Sequence, residues 1–190
     1  MKKHYLSFLL SSLVLAGTTV AQADSFKIDP VHSAIIFKIG HFGVGNVYGR
    51  FDAFSGTFAL DQTDPTKDAV NVEIKTDSVD TNAPDRDKHI KSPDFFNAAQ
   101  FPTATFKSTS VKKIDDKSYE VTGDFTLRGV TKPLVLNVQA IGSGPGPKGE
   151  FRSGWEATTT LKRSDFEVKT FLPAVSDEVS LRIAVEGIKQ

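Results

Sequence analysis

The sequence predicts an all-β domain built as a closed antiparallel barrel, with a two-sheet sandwich as the alternative. Two observations lead to this prediction. Apolar and polar residues alternate in eight separate runs, which is the signature of strands with one buried face. Stretches rich in Asp, Gly and Pro separate several of these runs, as expected for turns between antiparallel strands. We favour the barrel because closure removes exposed sheet edges, and eight strands enclose about enough room for one small ligand.

The eight runs follow one another along the chain. The residues that share one face of each predicted strand are Ile35, Phe37 and Ile39; Val47, Gly49 and Phe51; Phe54, Gly56, Phe58 and Leu60; Val70, Val72 and Ile74; Tyr119, Val121, Gly123, Phe125 and Leu127; Leu134, Leu136, Val138 and Ala140; Trp155, Ala157, Thr159 and Leu161; and Val179, Leu181, Ile183 and Val185. Two stretches are predicted from their composition to be loops, Asp61–Asp68 and Gly142–Gly149.

One segment, Asn82–Phe101, interrupts the alternation. It begins with a charged stretch and continues with Ser92 and Pro93, which resemble an N-cap followed by a proline in the first helical position. We therefore expect one or two short helices in this insert, and we expect its apolar residues to face the sheet.

Residues 1–23 have the pattern of a secretory signal peptide. Two lysines precede an apolar run at residues 6–16, which is shorter than the roughly 20 residues needed to span a bilayer. The Ala-Gln-Ala sequence that ends at Ala23 fits the site of a signal peptidase. We predict cleavage after Ala23, which leaves a domain over residues 24–190 in the bacterial periplasm without a transmembrane anchor. An uncleaved N-terminal anchor is the alternative.

The composition excludes several classes of function. The 190 residues contain 23 Lys and Arg and 23 Asp and Glu, so the chain lacks the basic field that nucleic-acid binding needs. Without cysteine there can be no disulfide scaffold, thiolate metal site or thiol nucleophile. No nucleotide-binding loop or hydrolase serine motif occurs, and no short histidine pair suggests a metal site.

Phenylalanine is the unusual component, with 15 residues in the chain. Its ring carries no polar atom, so it needs no hydrogen-bond partner when it lines a dry cavity. The same rings could fill a solid core. Alternation along the strands does not distinguish a hollow barrel from a filled one.

Five segments together resemble the YceI-like family of lipid-binding proteins, in the order in which that family has them. The matching positions are Asp29-Pro30-Val31-His32-Ser33 with Phe37; His41, Gly43, Val47, Gly49 and Phe51; Arg86-Asp87-Lys88-His89-Ile90, Ser92, Asp94-Phe95-Phe96, Phe101-Pro102, Ala104 and Phe106; Gly123–Leu127 with Gly129–Pro133; and Arg163-Ser164-Asp165-Phe166. The resemblance spans essentially all of residues 24–190.

The resemblance implies an extended, lipocalin-like, eight-stranded antiparallel barrel with an apolar tunnel for a long-chain isoprenoid or a similar fatty amphiphile. It implies no cofactor or metal other than this lipid ligand. The candidates for contact with the ligand head or for the rim are His41, Arg86, His89 and Arg163. The candidates for the tunnel wall are Phe37, Phe51, Phe95, Phe106, Phe125, Trp155 and Phe166.

We therefore predict a non-enzymatic periplasmic protein that carries or sequesters such a lipid, and we expect a homodimer. Two other functions stay open: a stress-induced exported protein that acts through a protein partner, and a hydrolase or isomerase that uses His41 or His89. Two explanations of the polar residues that involve no ligand also stay open. Arg86 and His89 could belong to a solvated helix face, and Arg163 could form a structural ion pair with Asp165.

Overall fold

The computed structural model describes residues 23–61 and 63–190, so nearly all of the predicted signal peptide lies outside the described residues. The strands are β1 (Asp24–Ile28), β2 (Ala34–His41), β3 (Gly45–Phe51), β4 (Phe54–Leu60), β5 (Ala69–Lys75), β6 (Val79–Asp80), β7 (Thr103–Lys113), β8 (Ser118–Leu127), β9 (Val130–Pro145), β10 (Phe151–Lys162) and β11 (Val175–Lys189). The helix α1 spans Pro84–Lys91, and short 3-10 turns span Pro65–Lys67, Thr76–Ser78 and Arg163–Phe166.

The strands form one antiparallel sheet that closes on itself. The circuit runs β1, β4, β5, β7, β8, β9, β10 and β11, and β11 pairs with β1 again. The closing ladder joins Phe26 to Lys189, Lys27 to Ile188 and Ile28 to Gly187. The prediction of an all-β, eight-stranded barrel is confirmed, and the two-sheet sandwich is excluded.

The three remaining strands lengthen the barrel. β2 pairs with β11 and β3, and β3 pairs with β6. Along the chain, β2 follows β1, β3 precedes β4 and β6 follows β5. Each of these three strands therefore continues a strand of the circuit. The barrel is thus extended, with eight long strands of which three are interrupted.

The two ends of the barrel carry different loops. The end that we call the insert end consists of residues 42–44, 81–102, 128–129 and 163–174. The opposite end, which we call the terminal end, consists of residues 61, 63–68, 114–117 and 146–150 together with the start of β1 and the end of β11.

The predicted alternation identifies the inner face of the strands. In β8, for example, Val121, Phe125 and Leu127 are buried, whereas Asp124 between them is exposed. Strand β7 was not predicted, because its register shifts between Ser108 and Ser110 and this irregularity breaks the period of two. The short strands β1 and β6 were not predicted either.

The insert contains a single α-helix, within the expected number, but the predicted helix start was wrong. α1 begins at Pro84 and ends at Lys91, and Ser92 is its C-cap, donating its backbone N–H to the carbonyl of His89. Asp85 and Asp87 fall in the first turn, and three of the basic residues, Lys88, His89 and Lys91, fall in the last turn. This distribution suits the helix dipole better than a start at Ser92 would.

The predicted loop Gly142–Gly149 is only partly a loop. β9 continues to Pro145, with Gly142 paired to Gly154 and Pro145 paired to Phe151. Pairing with β10 keeps these glycines extended. A proline is tolerated at the end of a strand, where the ladder does not need its missing N–H. Composition alone did not reveal this pairing.

A charged network fastens the turn between β1 and β2 to the last two strands. Arg152 on β10 contacts Asp29 at 2.9 Å and Glu150 at 2.7 Å, and it also pairs with Glu186 on β11. Asp29 accepts a second hydrogen bond from His32 at 2.8 Å. These bonds from His32 and Arg152 lower the pKa of the Asp29 carboxyl to about 2. The network therefore stabilises closure of the barrel with Asp29 ionised.

We expect Asp29→Asn to lower the melting temperature at pH 7 by roughly 2–4 °C. The folded-state pKa of Asp29 is depressed, so its contribution is present above the unfolded pKa near about 4 and is lost as the pH falls through about 2. Circular dichroism melts between pH 7 and pH 2 measure this difference. Asp116→Asn is the control, since that side chain is fully exposed. Equal melting of the Asp29 variant and the wild type at pH 7 would contradict the role of the network.

Candidate functional site

An elongated cavity of about 370 Å³ occupies the interior of the barrel. Every strand of the closed circuit contributes side chains to it, as do β2, β3 and α1. Its lining is almost entirely aliphatic and aromatic. The charged or hydroxyl-bearing side chains among the lining residues are His41, Asp68, Arg86, His89, Tyr119, Glu156 and Arg163. A cavity of this size and polarity is suited to an apolar ligand with few polar groups.

The barrel is hollow rather than filled. Val179, Leu181, Ile183 and Val185 on β11 all line the cavity, yet each is only half-buried. In a packed barrel these inward-facing side chains would contact one another and lose their remaining accessible surface. The alternative that the composition left open, a solid phenylalanine core, does not apply to the space along β11.

Glycines make room for phenylalanine rings along the wall. Gly49 on β3 pairs with Phe37 on β2, and a Cβ atom at Gly49 would overlap the Phe37 ring. A Cβ atom at Gly123 would lie 2.5 Å from Cζ of Phe106. Each ring thus occupies the space that a neighbouring side chain would need, an arrangement known to protect strand glycines.

Six of the seven predicted wall residues line the cavity. They are Phe37, Phe51, Phe95, Phe106, Phe125 and Trp155. Phe166 does not belong to the lining. It lies in the 3-10 turn after β10, is buried, and packs edge-on against Phe125 at 5.3 Å. Phe166 therefore supports the wall from behind, and its predicted place on the inner surface needs this correction.

Aromatic side chains cluster towards the terminal end of the cavity. Tyr119 and Trp155 pack edge-on at 5.5 Å, and the Trp155 indole N–H donates to Ser153 at 2.8 Å. Phe26 and Phe58 stack at 4.9 Å in a second cluster near this end. A long ligand inside the barrel would therefore end against rings.

Asp68 is one of two acidic residues of the lining, with Glu156, that sequence analysis missed. Its side chain accepts a hydrogen bond from the backbone of Asp61 at 2.7 Å. Burial raises the pKa of Asp68, and the charge of nearby Asp61 acts in the same direction. No sequence motif distinguishes Asp68 from the other aspartates of its turn.

The mouth of the cavity lies at the insert end. Among the described lining residues, three are exposed, namely His41, Arg86 and Phe171, and all three are at this end. His41 ends β2, Arg86 lies on α1, and Phe171 lies in the loop before β11. The two predicted rim residues in this group therefore flank the opening, whereas Phe171 was not predicted.

His89 connects α1 to two loops at the mouth. Its Nε2 atom is 2.9 Å from Oδ2 of Asp94, and its ring packs edge-on against Phe95 and Phe171 at 5.1 and 5.9 Å. Thr170 donates its hydroxyl to the carbonyl of Asp94 at 2.6 Å. The insert and the loop 163–174 are thus joined around the His89 ring.

Arg86 is held in place through Thr81. Its Nε atom donates to the Thr81 hydroxyl, and Nη2 donates to the Thr81 carbonyl, both at 2.7 Å. The buried Thr81 in turn donates its backbone N–H to Asp87 at 2.9 Å. The Nη1 donors make no hydrogen bond with the described residues, so this edge of the guanidinium is available at the mouth.

Arg163 does not form the ion pair with Asp165 that was one of its two predicted roles. Its buried guanidinium donates four hydrogen bonds, each 2.8 or 2.9 Å long, to backbone carbonyls. The accepting residues are Val168, Thr170, Val175 and Ser176. Burial lowers the pKa of Arg163. The side chain borders the cavity, but its main contacts shape the loop that forms one side of the mouth.

A cluster outside the barrel brings ligand-type atoms together. Asp29, His32 and Glu186 carry such atoms within 4.8 Å of one another. Arg152 already contacts both carboxylates, and this arrangement explains the cluster as an ion-pair network. It lies away from the cavity and contributes no chemistry to it.

Comparison with known proteins identifies the family. The sequence profile of the YceI-like domain matches residues 26–187. The chain belongs to the YceI-like family. Protein YceI of Escherichia coli O17:K52:H18 is 47% identical over 192 residues, and the alignment covers 100% of each chain.

Two solved structures of other proteins have the same fold. BcnA of Burkholderia cenocepacia superimposes with a TM-score of 0.76 at 23% identity, over 84% of this chain and 98% of that chain. A polyisoprenoid binding domain from Saccharophagus degradans, implicated in plant cell wall breakdown, superimposes with a TM-score of 0.65 at 17% identity, over 87% and 98% of the two chains. These likenesses agree with the barrel described above.

We expect Arg163→Lys to destabilise this YceI-like protein by about 3 kcal/mol, because a lysine cannot satisfy four carbonyls in fixed directions. The melting temperature should fall by roughly 6–12 °C. Arg182→Lys is the control, since Arg182 is exposed and pairs with Glu156 alone. Differential scanning calorimetry compares them, and equal losses for the two variants would contradict the assignment.

Proposed function

We propose that this YceI-like protein binds the tail of a long-chain isoprenoid, or of a similar fatty amphiphile, in the barrel cavity. The observation that carries the proposal is the hollow interior. Its wall consists of aliphatic and aromatic side chains, and the lining residues that are exposed lie at one end. Such a space is unfavourable for water and favourable for a hydrocarbon chain.

The cavity alone supplies enough free energy to hold a tail. Burial of one methylene group contributes about 0.8 kcal/mol, so a tail of twenty carbons contributes roughly 16 kcal/mol before the ordering of the ligand is subtracted. Polar groups at the mouth therefore need not provide affinity. Their role in this proposal is to orient the head group and to select it.

We place the head group at the mouth, near His41, Arg86 and His89. Arg86 offers its free Nη1 donors, and His89 presents a ring already oriented by Asp94. Arg163 has at most one N–H left for a ligand, because four bond to carbonyls of its loop and of the start of β11. Of the four residues predicted from the sequence, we therefore assign Arg163 mainly to the shape of the opening.

We propose that the protein works in the periplasm as a carrier or a sequestering protein. The signal-peptide pattern of residues 1–23, with cleavage after Ala23, supports export. Within residues 23–61 and 63–190, the structure contains no helix that is both long and apolar enough to cross a membrane. The description of the Saccharophagus degradans neighbour as a polyisoprenoid binding domain supports the choice of ligand class. The homodimer and the absence of a cofactor stay predictions.

We propose binding rather than catalysis. Within the described part of the chain, no hydrogen bond joins His41 or His89 to a serine, threonine or lysine that would act as a nucleophile. His89 is instead engaged by Asp94 and by two aromatic rings. Neither the hydrolase or isomerase alternative nor the action through a protein partner is favoured by an observation of comparable weight.

The direct test is native mass spectrometry of protein purified from the periplasm, followed by extraction and identification of the bound lipid. We expect one lipid per barrel in the wild type. Ala157→Phe places a ring in the cavity, and we expect it to reduce bound lipid at least about tenfold. Thr158→Phe is the matched control, because its side chain points outwards from the same strand.

Unchanged circular dichroism in both variants shows that the barrel has folded. If Ala157→Phe fails this criterion, Ala104→Phe on β7 serves as the second cavity variant, since Ala104 also lines the cavity. Wild-type protein that carries no lipid and takes none up from added polyprenol would overturn the proposal. If Ala157→Phe and Thr158→Phe carried equal amounts of lipid, the proposed place of the ligand in the cavity would be overturned.

A further inference from the structure

Three apolar side chains project into solvent around the mouth. Phe42 is 60% exposed, Val44 is 87% exposed and Phe171 is 56% exposed. We call these three residues the docking rim. Phe42 and Val44 form the turn between β2 and β3, whereas Phe171 belongs to the loop before β11. A hydrogen bond of 2.7 Å from the Phe42 N–H to the Ala174 carbonyl links the two segments.

The backbone at both aromatic residues of the docking rim adopts an unfavourable conformation. Phe42 has a φ angle of 52° and Phe171 has one of 63°. Bulky residues rarely adopt this left-handed region, in which glycine and asparagine are the usual occupants. Two such residues at the same opening, both aromatic and both exposed, indicate that the rim is selected for a contact rather than for stability.

The docking rim is continuous with the apolar wall of the cavity. Phe171 is exposed and at the same time lines the cavity, and its ring lies 6.2 Å from that of Phe95, which also lines the cavity. His41, another lining residue, packs edge-on against Phe42 at 4.5 Å. A hydrocarbon tail that leaves the mouth therefore passes directly onto exposed apolar side chains.

The charges of the two barrel ends differ, so that the mouth approaches an anionic surface more readily than the opposite end does. Besides the buried Arg163, the loops of the insert end carry five Lys and Arg residues against five Asp and Glu residues. The loops of the terminal end carry three against six. This asymmetry orients the insert end towards a negatively charged surface and keeps the terminal end away from it.

We infer that the docking rim inserts into the interface of an anionic phospholipid bilayer, so that the cavity opens onto the membrane. The inference rests on the proposed function, because a lipid tail would then move between bilayer and barrel without crossing water. Apolar side chains at the boundary of headgroups and acyl chains, combined with attraction to anionic lipids, are the general basis of such binding. A bilayer accounts for both the apolar rim and the charge asymmetry.

Vesicle flotation tests the inference with full-length mature protein. We expect the wild type to float with vesicles of 30% phosphatidylglycerol and 70% phosphatidylcholine, and less so at high salt. The double variant Phe42→Ser, Phe171→Ser should lose vesicle binding at least about tenfold. The control is Ile114→Ser, Ile141→Ser, whose side chains are 55% and 63% exposed near the terminal end, and it should bind as the wild type does.

The lipid content of the same proteins separates this inference from the proposed function. Protein that carries extracted lipid but does not bind vesicles would overturn the docking rim and leave the proposed function standing. Protein that binds vesicles through the rim but carries no lipid would overturn the proposed function instead. Equal vesicle binding by the rim variant and the terminal-end control would contradict insertion of the docking rim into the bilayer. The same holds if a periplasmic protein binds the rim while vesicles do not.

Discussion

Closure of the sheet between β1 and β11 is the constraint on which the rest of the structure depends. Among the described residues, the register of this ladder comprises three pairs, beginning with Phe26 and Lys189. The network of Asp29 and Arg152 reinforces it from outside by fastening the turn after β1 to β10. Because the sheet closes, the apolar face of every strand turns towards one enclosed space. An open sheet with the same residues would expose that face to water.

The hollow interior follows from the way the wall is built. The backbone ladders fix the radius of the barrel, and rings such as Phe37 and Phe106 lie where glycines leave space on a neighbouring strand. Half-buried side chains on β11 have given up dispersion contacts that a packed core would provide. A hydrocarbon ligand would restore those contacts, so the proposed binding would also stabilise the fold.

The sequence predicted those parts of the molecule that depend on a regular period. The run from Val121 to Leu127 shows the inner face of β8 by alternation alone, and the same holds for the seven other runs. The family resemblance added the approximate place of the mouth through His41 and Arg86. β7 was not predicted because a register shift after Ser108 places its later apolar residue, Val111, outside the two-residue period.

Other features depend on contacts between distant parts of the chain. Arg163 was expected to pair with Asp165 or to contact a ligand. Its donors instead reach two carbonyls of its own loop and two at the start of β11, which no sequence pattern indicates. Phe166 shares the signature of its block yet packs behind Phe125. Phe171 stands outside every motif, although it forms part of both the lining and the rim.

The most direct measurement of the central claim is a crystal structure of the protein purified from the periplasm without added lipid. The hollow-barrel account predicts continuous, elongated electron density along the cavity, from the mouth beside His41 and Arg86 to the rings of Tyr119 and Trp155. The side chains around that density should remain as described here. A barrel whose interior is filled by its own side chains, or by a chain of ordered water molecules, would contradict the account.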